Sequence, residues 1–445
     1  MEKTQQWTSK LGFILASAGA AIGLGAIWKF PYVAGSGGGG AFFLIFILFT
    51  LLIGMPLLLA EFVIGRSTQS EAVTAYKKLV PGRLYPWIGR LGVVTSFLVL
   101  SFYSVVGGWI LLYMYYALSG RLWREVSDFE TLFGQTIANP YSAVIAQGIF
   151  LAITIFIVSR GVEKGIEKAN KYMMPALFIL FLLLIGRSLT LDGAMEGVTF
   201  ILKPDFSKLT AEGILYAMGQ SFFSLTVGAS VMVTYSSYLR KEESLVKSAT
   251  SIVGLTLFIT VLAGLAIFPG VFALGMKPTE GPGLLFIVLP AVFEQIPMGS
   301  IFFLAFLLLF FFATITSAVS MLEIVVAAAG GHQAERRPRL SILLGTLIFM
   351  VGIPSALSFG VMEEIKIFNK TVFDVVDYIV SNILLPLGVL SISLFVPAKM
   401  KRTVLKAELG VTKQGQVLFN IWFYLLKYVA PITVIVVFLH ALQIL

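Results

Sequence analysis

The chain alternates long apolar runs with short polar segments over almost its whole length. Each apolar run holds about 20 residues or more, the length that a helix needs to cross ~30 Å of hydrocarbon. A membrane β-barrel would instead show short strands of alternating polarity. The eighth run is long enough for a tilted helix that extends beyond the membrane. The pattern predicts eleven crossings, near 11–34, 40–65, 88–118, 142–160, 166–187, 212–239, 248–275, 293–329, 340–358, 371–397 and 418–443.

The basic residues predict how these helices are oriented. With the N-terminus in the cytoplasm, 22 of the 32 Lys and Arg residues fall in cytoplasmic segments and 8 in outer segments. Cytoplasmic loops of membrane proteins carry such an excess of positive charge. We therefore predict a multi-pass protein of the cell membrane with a cytoplasmic N-terminus and an extracellular C-terminus.

The composition agrees with this class and excludes several others. Hydrophobic residues make up 58% of the chain, charged residues only 12%, and the mean hydropathy is +0.93. There is no cysteine, so disulfides and thiolate metal sites are excluded, and two histidines give little basis for a metal centre. The net charge is +9, but the basic residues lie mainly in short loops, so no nucleic-acid surface is predicted. The sequence shows no serine-nucleophile motif, histidine–carboxylate pair or metal cluster, so we predict no enzyme.

Two of the crossings are unsuited to a regular helix. The first contains Gly19, Gly23 and Gly25 near its middle, and the sixth carries a series of polar residues from Gln220 to Ser230 at membrane depth. Irregular backbone is tolerated in a membrane only where it lines a cavity or is buried in protein. Gly19 and Gly23 alone also fit a close helix-packing face, so that interpretation stays open. The first and sixth crossings together predict two discontinuous helices that meet at a site near the membrane midplane.

Unwound backbone offers two kinds of binding group. Free carbonyl oxygens suit a hard cation such as sodium, and the N–H groups at a half-helix N-terminus suit a carboxylate. A zwitterionic amino acid needs both kinds of partner and no charged side chain in the site.

Several motifs carry a specific resemblance. They are W-x-x-x-L-G-F-I-L-A-x-A-G-x-A-I-G-L-G at 7–25, W-K-F-P-Y at 28–32, G-G-G-A-F at 38–42, G-x-P at 54–56, E-F-x-x-G-R at 61–66, G-Q-S-F-F-S-L at 219–225 and Y-S-S-Y-L-R-K at 235–241. The chain resembles the neurotransmitter:sodium symporters over nearly its full length, and within them the bacterial eleven-helix transporters of hydrophobic amino acids. The resemblance implies an all-α polytopic membrane protein with a LeuT-type fold. It implies one transporter domain over 1–445, with inverted repeats at 11–190 and 212–397 and an added helix at 418–443.

The resemblance also implies the substrate site. The substrate carboxylate is expected at the N–H groups of Leu24 and Gly25 and at the hydroxyl of Tyr103. The amine is expected at the carbonyls of Phe223, Ser224 and Thr226, near Ala20 and Ala21. The side chain is expected to pack on Val99, Tyr103, Phe223, Ser317 and Met321. Ala229 stands where a leucine-binding relative has a phenylalanine, which leaves room for a bulky side chain unless a neighbour fills it.

Two sodium ions are implied. The first is expected at Ala21, Ser224 and Thr256, and Ala26 stands where the family usually has a further asparagine ligand. The second is expected at Gly19, Ile22, Ala313, Thr316 and Ser317. The hydroxyls of Thr316 and Ser317 could instead bond back to their own helix. A chloride requirement stays open, because the corresponding positions are Phe46, Gln220, Ser224, Thr256 and Thr260.

The gates and one hinge follow from the same resemblance. Tyr103 and Phe223 are expected to form a lid, with an ion pair between Lys29 and Asp377 outside it. Trp7 is expected to plug the cytoplasmic side. The family's basic and acidic partners are not matched there, which predicts a looser and more hydrophobic inner gate. Gly165 and Pro175 mark either a kink at a helix start or a segment that unwinds to release the second sodium ion.

The function implied is a sodium-coupled secondary active symporter that imports hydrophobic or aromatic L-amino acids, such as tryptophan, phenylalanine and leucine, by alternating access. Helices 1, 2, 6 and 7 are expected to rock against helices 3, 4, 8 and 9. A channel and an amino acid sensor with a transporter fold remain alternatives, although a channel would show a repeated filter or rings of charge. The implied partners are a small amino acid and the lipid bilayer. The sequence gives no indication of the oligomeric state.

Overall fold

The protein is helical throughout the part of the chain that the structure describes. The structure is a computed structural model that describes residues 5–23, 25–82, 84–124, 128–275, 283–331 and 333–442. Within these ranges the only β-type pairings are isolated bridges, such as the one between Gly39 and Pro204. Together with the apolar character of the helices, this confirms the predicted all-α polytopic membrane fold.

Eighteen helices of seven residues or more account for the described architecture. In chain order they are α1 (Lys10–Ala21), α2 (Gly25–Gly37), α3 (Gly40–Thr68), α4 (Ala72–Leu79), α5 (Pro86–Leu118), α6 (Phe129–Ala138), α7 (Pro140–Ser159), α8 (Val162–Ser188), α9 (Ala194–Leu202), α10 (Ala211–Phe223), α11 (Val231–Ser237), α12 (Leu245–Ala273), α13 (Leu284–Glu294), α14 (Gly299–Gly330), α15 (Arg337–Ala356), α16 (Val372–Lys399), α17 (Arg402–Leu409) and α18 (Gln416–Ala441). Short turns lie at Arg121–Arg124 and Phe206–Lys208.

The membrane-crossing helices agree with the sequence pattern. Nine helices among the described residues are long and apolar enough to cross a membrane: α3, α5, α7, α8, α12, α14, α15, α16 and α18. The first predicted crossing consists of α1 and α2, which are bent by 60° at their break. The sixth consists of α10 and α11, which are separated by residues 224–230. Both predicted breaks are therefore present.

The eighth crossing differs from its prediction over 293–329. The structure forms a separate helix, α13, and α14 begins only at Gly299. Met298 has a left-handed backbone with φ of 60°, and a Cβ atom at Gly299 would overlap the carbonyl oxygen of Phe293. Pro297 and the close approach at Gly299 therefore turn the chain where apolar character alone suggested a continuous helix.

The broken helices are held inside a frame of long helices. α5 packs along α14, and α1 contacts α14, α12 and α8. α11 packs against the second half of α3, where Gly65 lies directly on the backbone of Val233. These contacts place both breaks at the centre of the bundle, away from lipid.

We predict that Gly65→Ala lowers the thermal stability of the protein. The added methyl group would overlap the Val233 carbonyl and the Ser236 hydroxyl, so α3 and α11 would have to separate. Overpacking of this kind costs about 1–3 kcal/mol. Thermal unfolding in detergent measures the effect. Gly134→Ala in α6 is the matched control, because no described atom outside its own turn of helix lies within 4 Å of the position its Cβ would take. Equal stability of the two variants would contradict the packing described here.

Candidate functional site

A central cavity of about 220 Å³ lies between the two breaks. α5, α14 and α16 form its other walls. Most of the predicted substrate residues line it: Ala20, Ala21, Gly25, Val99, Tyr103, Phe223, Thr226, Ala229, Ser317 and Met321. Ser224 does not, and Leu24 lies outside the described residues. Lys29, Asp374 and Asp377 line one end of the cavity, whereas the walls beside the breaks are mainly apolar.

The two breaks are tied directly to each other. Thr226 donates a hydrogen bond from its hydroxyl to the carbonyl oxygen of Ala20, at 3.0 Å. Gln220 donates from Nε2 to the carbonyl oxygen of Gly25, at 2.8 Å. Ala20 and Gly25 flank the break between α1 and α2, and both donors come from the sixth crossing. Polar residues of the sixth crossing therefore satisfy part of the backbone beside the first break.

A buried carboxylate organises the second break. Thr226, Gly228 and Ser230 all have left-handed backbones, with φ of 54°, 96° and 59°. The Glu61 carboxylate accepts hydrogen bonds from the backbone N–H groups of Gly228, at 2.7 Å, and Met232, at 3.1 Å. It also accepts one from Val233, at 3.3 Å. Glu61 was missed as a functional residue, although a lone acid in the apolar run 55–64 is itself a signal of function.

The predicted second sodium site is assembled from α1 and α14. The carbonyl oxygen of Gly19 accepts hydrogen bonds from the hydroxyls of Thr316, at 3.0 Å, and Ser317, at 3.1 Å. Thr316 also bonds back to the carbonyl of Ala313, at 3.0 Å, and Ile22 caps the end of α1. Thr316 therefore bonds back to its own helix and also across to α1, and a sodium role for the two hydroxyls stays a prediction. The cluster of carbonyl and hydroxyl oxygens suits a hard monovalent cation.

Two residues of the predicted first sodium site leave polar atoms without partners. Ser224 Oγ and Thr256 Oγ1 are buried and form no hydrogen bond among the described residues. Buried polar atoms are rarely left in this condition, so each needs an explanation. A cation held by these oxygens would satisfy both. Ala26 is fully buried but has no side-chain oxygen to contribute.

The predicted outer ion pair is not formed. Lys29 places its Nζ atom 4.8 Å from the centre of the Phe223 ring, which is a cation–π contact. Asp377 accepts a hydrogen bond from the hydroxyl of Ser381, at 2.8 Å. Among the described residues, Lys29 and Asp377 are not joined by a salt bridge. The single flexible ammonium of Lys29 stays over Phe223, whereas a planar guanidinium is better suited to pair with a carboxylate.

The opposite end of the cavity is sealed. Trp7 is 2% exposed and donates from its indole N–H to the carbonyl of Tyr235, at 2.8 Å. Its ring packs edge-on against Tyr235 and Tyr238. The Tyr238 hydroxyl donates to Glu323, at 2.7 Å, and Glu323 forms a buried ion pair with Arg337. The acidic partner was expected near Gly330 and Gly331, whereas Glu323 lies two turns earlier on α14. Because Glu323 and Arg337 form a buried ion pair beside Trp7 and Tyr238, the expectation of a looser and more hydrophobic gate is wrong.

The predicted hinge lies in a wound helix. Gly165 falls in a π-helical turn at Val162–Glu167, and α8 continues past Pro175 to Ser188. A Cβ atom at Gly165 would overlap the carbonyl oxygen of Ile157, so glycine allows the close approach of the preceding helix. The tight packing at Gly165 is present, and both the kink and the unwinding stay predictions.

Several residues that line the cavity were not predicted from the sequence. Phe373, Val380 and Leu385 of α16 and Ser96 of α5 line the cavity. Ser96 precedes Val99 by almost one helical turn, so the helical period would have found it. The face of α16 that meets the cavity is set by its packing, which one sequence does not reveal.

Comparison with known proteins agrees with this architecture. The profile of the "Sodium:neurotransmitter symporter family" matches residues 4–131 and 133–445. The chain is 54% identical over 446 residues to the "uncharacterized sodium-dependent transporter YhdH" of Bacillus subtilis, covering 100% of this chain and 99% of that protein. It is 36% identical over 459 residues to an "uncharacterized sodium-dependent transporter" of Haemophilus influenzae, covering 99% of each.

A solved structure shares the fold. The crystal structure of MhsT in complex with L-phenylalanine matches with a TM-score of 0.89 and 44% sequence identity. The match covers 98% of this chain and 99% of MhsT.

We predict that Glu61 is needed to hold the second break. Glu61→Ala would leave three buried N–H groups unpaired, each at about 1–3 kcal/mol. Glu61→Gln keeps one acceptor oxygen and should fall between the two. Thermal unfolding in detergent should therefore rank the wild type above Gln and Gln above Ala. Glu364→Ala, at an exposed position, is the control and should match the wild type. A Glu61→Ala protein as stable as this control would rule out the role.

Proposed function

Since the chain belongs to the sodium:neurotransmitter symporter family, we propose that this sodium-dependent, multi-pass membrane transporter imports hydrophobic and aromatic L-amino acids by symport. The observation that carries the proposal is the cavity between the two tied breaks. The ends of the broken helices lie beside an apolar compartment, and a zwitterion with an apolar side chain requires this combination of backbone groups and apolar walls. MhsT, which shares the fold, binds L-phenylalanine.

We assign the substrate's groups as follows. The carboxylate binds the N–H groups of Leu24 and Gly25 and the Tyr103 hydroxyl, at the start of α2, where a helix N-terminus favours negative charge. The amine binds carbonyl oxygens of the second break, at Phe223, Ser224 and Thr226, near Ala20. The side chain packs between Val99 and Met321. Ala229 is 2% exposed and lines the cavity, which leaves space for an aromatic ring.

Two sodium ions accompany the amino acid in this proposal. One is held at Gly19, Ile22, Ala313, Thr316 and Ser317, and the other at Ala21, Ser224, Thr256 and the substrate carboxylate. An inside-negative potential then adds ~2.3 kcal/mol per charge per 100 mV to the driving force. Because Ala26 supplies no side-chain oxygen, we expect sodium to bind more weakly at the Ala21, Ser224 and Thr256 site than at the Gly19 site. Whether chloride takes part stays open, since Thr260 provides a hydroxyl and no acid.

The arrangement of the two ends supports alternating access. The cavity extends to Lys29, Asp374 and Asp377 on one side, and Trp7 with the Glu323–Arg337 pair closes the other. We propose that the open side is extracellular and that the N-terminus is cytoplasmic. A channel needs a continuous path, and the buried Trp7 interrupts one. A sensor with this fold would bind the amino acid without moving it.

Transport of labelled tryptophan or phenylalanine into proteoliposomes tests the proposal. Uptake should require an inward sodium gradient. Thr316→Val removes a hydroxyl that meets Gly19 and should raise the sodium concentration for half-maximal uptake roughly tenfold or more. Thr314→Val is the matched control, because the Thr314 hydroxyl donates to the carbonyl of Phe310 in its own helix, at 2.7 Å, and has no other partner in the part of the chain that the structure describes. Binding without uptake would support a sensor, and uptake that ignores sodium would overturn the symport proposal.

The specificity assignment makes a separate prediction. Ala229→Phe should fill the apolar compartment, so tryptophan uptake should fall at least tenfold while alanine uptake is retained. A change of one methylene in a pocket alters discrimination by about 1–3 kcal/mol, and a phenyl ring is much larger. Ala229→Val should give an intermediate ratio. Competition of unlabelled amino acids against labelled leucine measures the series. An unchanged ratio of tryptophan to alanine would show that Ala229 does not limit substrate size.

A further inference from the structure

A buried asparagine beside the second sodium site has an unused oxygen. Asn170 on α8 is fully buried, and its Oδ1 atom has no hydrogen-bond partner among the described residues. Its Nδ2 atom donates to the carbonyl of Ile166, at 2.9 Å. This bond fixes the orientation of the amide, because only the nitrogen can donate. The free atom is therefore the oxygen, in a protein interior where an unsatisfied acceptor is costly.

The free oxygen points at the residue that anchors the second sodium site. A Cβ atom at Gly19 would overlap Asn170 Oδ1, and it would lie 3.1 Å from Thr316 Cβ and 3.3 Å from Met174 Sδ. Gly19 is also the residue whose carbonyl accepts from Thr316 and Ser317. Asn170 Oδ1 thus borders the ligands of this site, on the α8 side, and glycine at position 19 is what lets it approach.

A line of polar groups leads from Asn170 toward the surface. Glu167 lies three residues earlier on the face of α8 that meets α1. Its carboxylate accepts from the backbone N–H of Thr8, at 2.8 Å, and from the Ser9 hydroxyl, at 2.9 Å. It also pairs with Lys171, at 2.7 Å, whose side chain is 39% exposed. The seam between α1 and α8 therefore has oxygen atoms at successive depths, from the surface to Gly19.

We propose that Asn170 Oδ1 is an intermediate sodium ligand on the route between the second sodium site and the cytoplasm. The inference rests on the proposed function, since it requires sodium at that site. Sodium prefers oxygen ligands, and a single neutral amide oxygen binds it weakly enough to release it again, as an ion path requires. Ile166 and Asn170 lie between Gly165 and Pro175, so unwinding of this segment would carry the oxygen with it.

The test separates release of sodium from binding of sodium. Asn170→Leu keeps the approximate size of the side chain and removes the oxygen, whereas Asn170→Thr keeps a neutral oxygen whose hydroxyl can still donate to the Ile166 carbonyl. Three quantities are compared: net sodium-driven uptake of labelled phenylalanine into proteoliposomes, exchange of external label for unlabelled phenylalanine inside, and the sodium dependence of phenylalanine binding in detergent. Exchange does not require sodium to leave on the inner side, so only net uptake depends on the proposed route.

Asn170→Leu should lower net uptake roughly tenfold, with exchange and binding within twofold of wild type. Asn170→Thr, which keeps a neutral oxygen, should retain net uptake. Gln147→Leu is the matched control, because it removes another buried amide whose oxygen has no partner among the described residues. The Gln147 nitrogen donates to the carbonyl of Ser101 and the hydroxyl of Ser104, away from the seam. It should leave all three quantities unchanged.

The outcomes distinguish the two proposals. If uptake by the wild type needs sodium but Asn170→Leu matches its net uptake, the role of Asn170 is overturned and the proposed function stands. A parallel fall of net uptake, exchange and binding also overturns it, because Asn170 would then be structural. Sodium-independent uptake by the wild type would overturn the proposed function and, with it, the sodium role of Asn170.

Discussion

The need to satisfy backbone polar groups inside the membrane governs this protein. Two helices are interrupted at membrane depth, and every N–H and C=O freed there needs a partner that lipid cannot supply. The Glu61 carboxylate pairs with three N–H groups, and Gln220 and Thr226 pair with two carbonyls. Ala20, Ala21, Gly25 and Thr226, in or beside these breaks, line the cavity. The cavity thus lies where the two breaks share their hydrogen bonds.

The same requirement explains where charge is found. Glu61, Glu323 and Arg337 are buried, and each has partners on another helix. A buried ion pair adds little net stability, but separating its members is costly. The Glu323–Arg337 pair therefore raises the cost of opening the sealed end. At the other end the Lys29 ammonium lies over the Phe223 ring and forms no salt bridge with a described residue, and this contact is cheaper to break.

The sequence predicted those features that depend on local chemistry. Glycines and polar residues at membrane depth located both breaks, and the apolar runs located most helix ends to within four residues. Features that depend on packing were missed or wrong. The start of α14 is set by the contact of Gly299 with Phe293, and the partner of Lys29 by the placement of Phe223. Asn170 lies in a lysine-rich stretch where nothing in the sequence sets it apart, and only the approach of Gly19 reveals it.

The hydrogen bonds between the two breaks have a mechanical consequence. Thr226 and Gln220 fasten the sixth crossing to the first, whereas Thr316 and Ser317 fasten the first crossing to α14. If the first and sixth crossings move together, the bonds of Thr226 and Gln220 move with them and stay intact. The bonds of Thr316 and Ser317 join the moving part to α14, so they must break and re-form in every transport cycle. The energetic cost of breaking hydrogen bonds during the cycle therefore falls on two hydroxyl groups, and these belong to residues that are proposed to hold the ion.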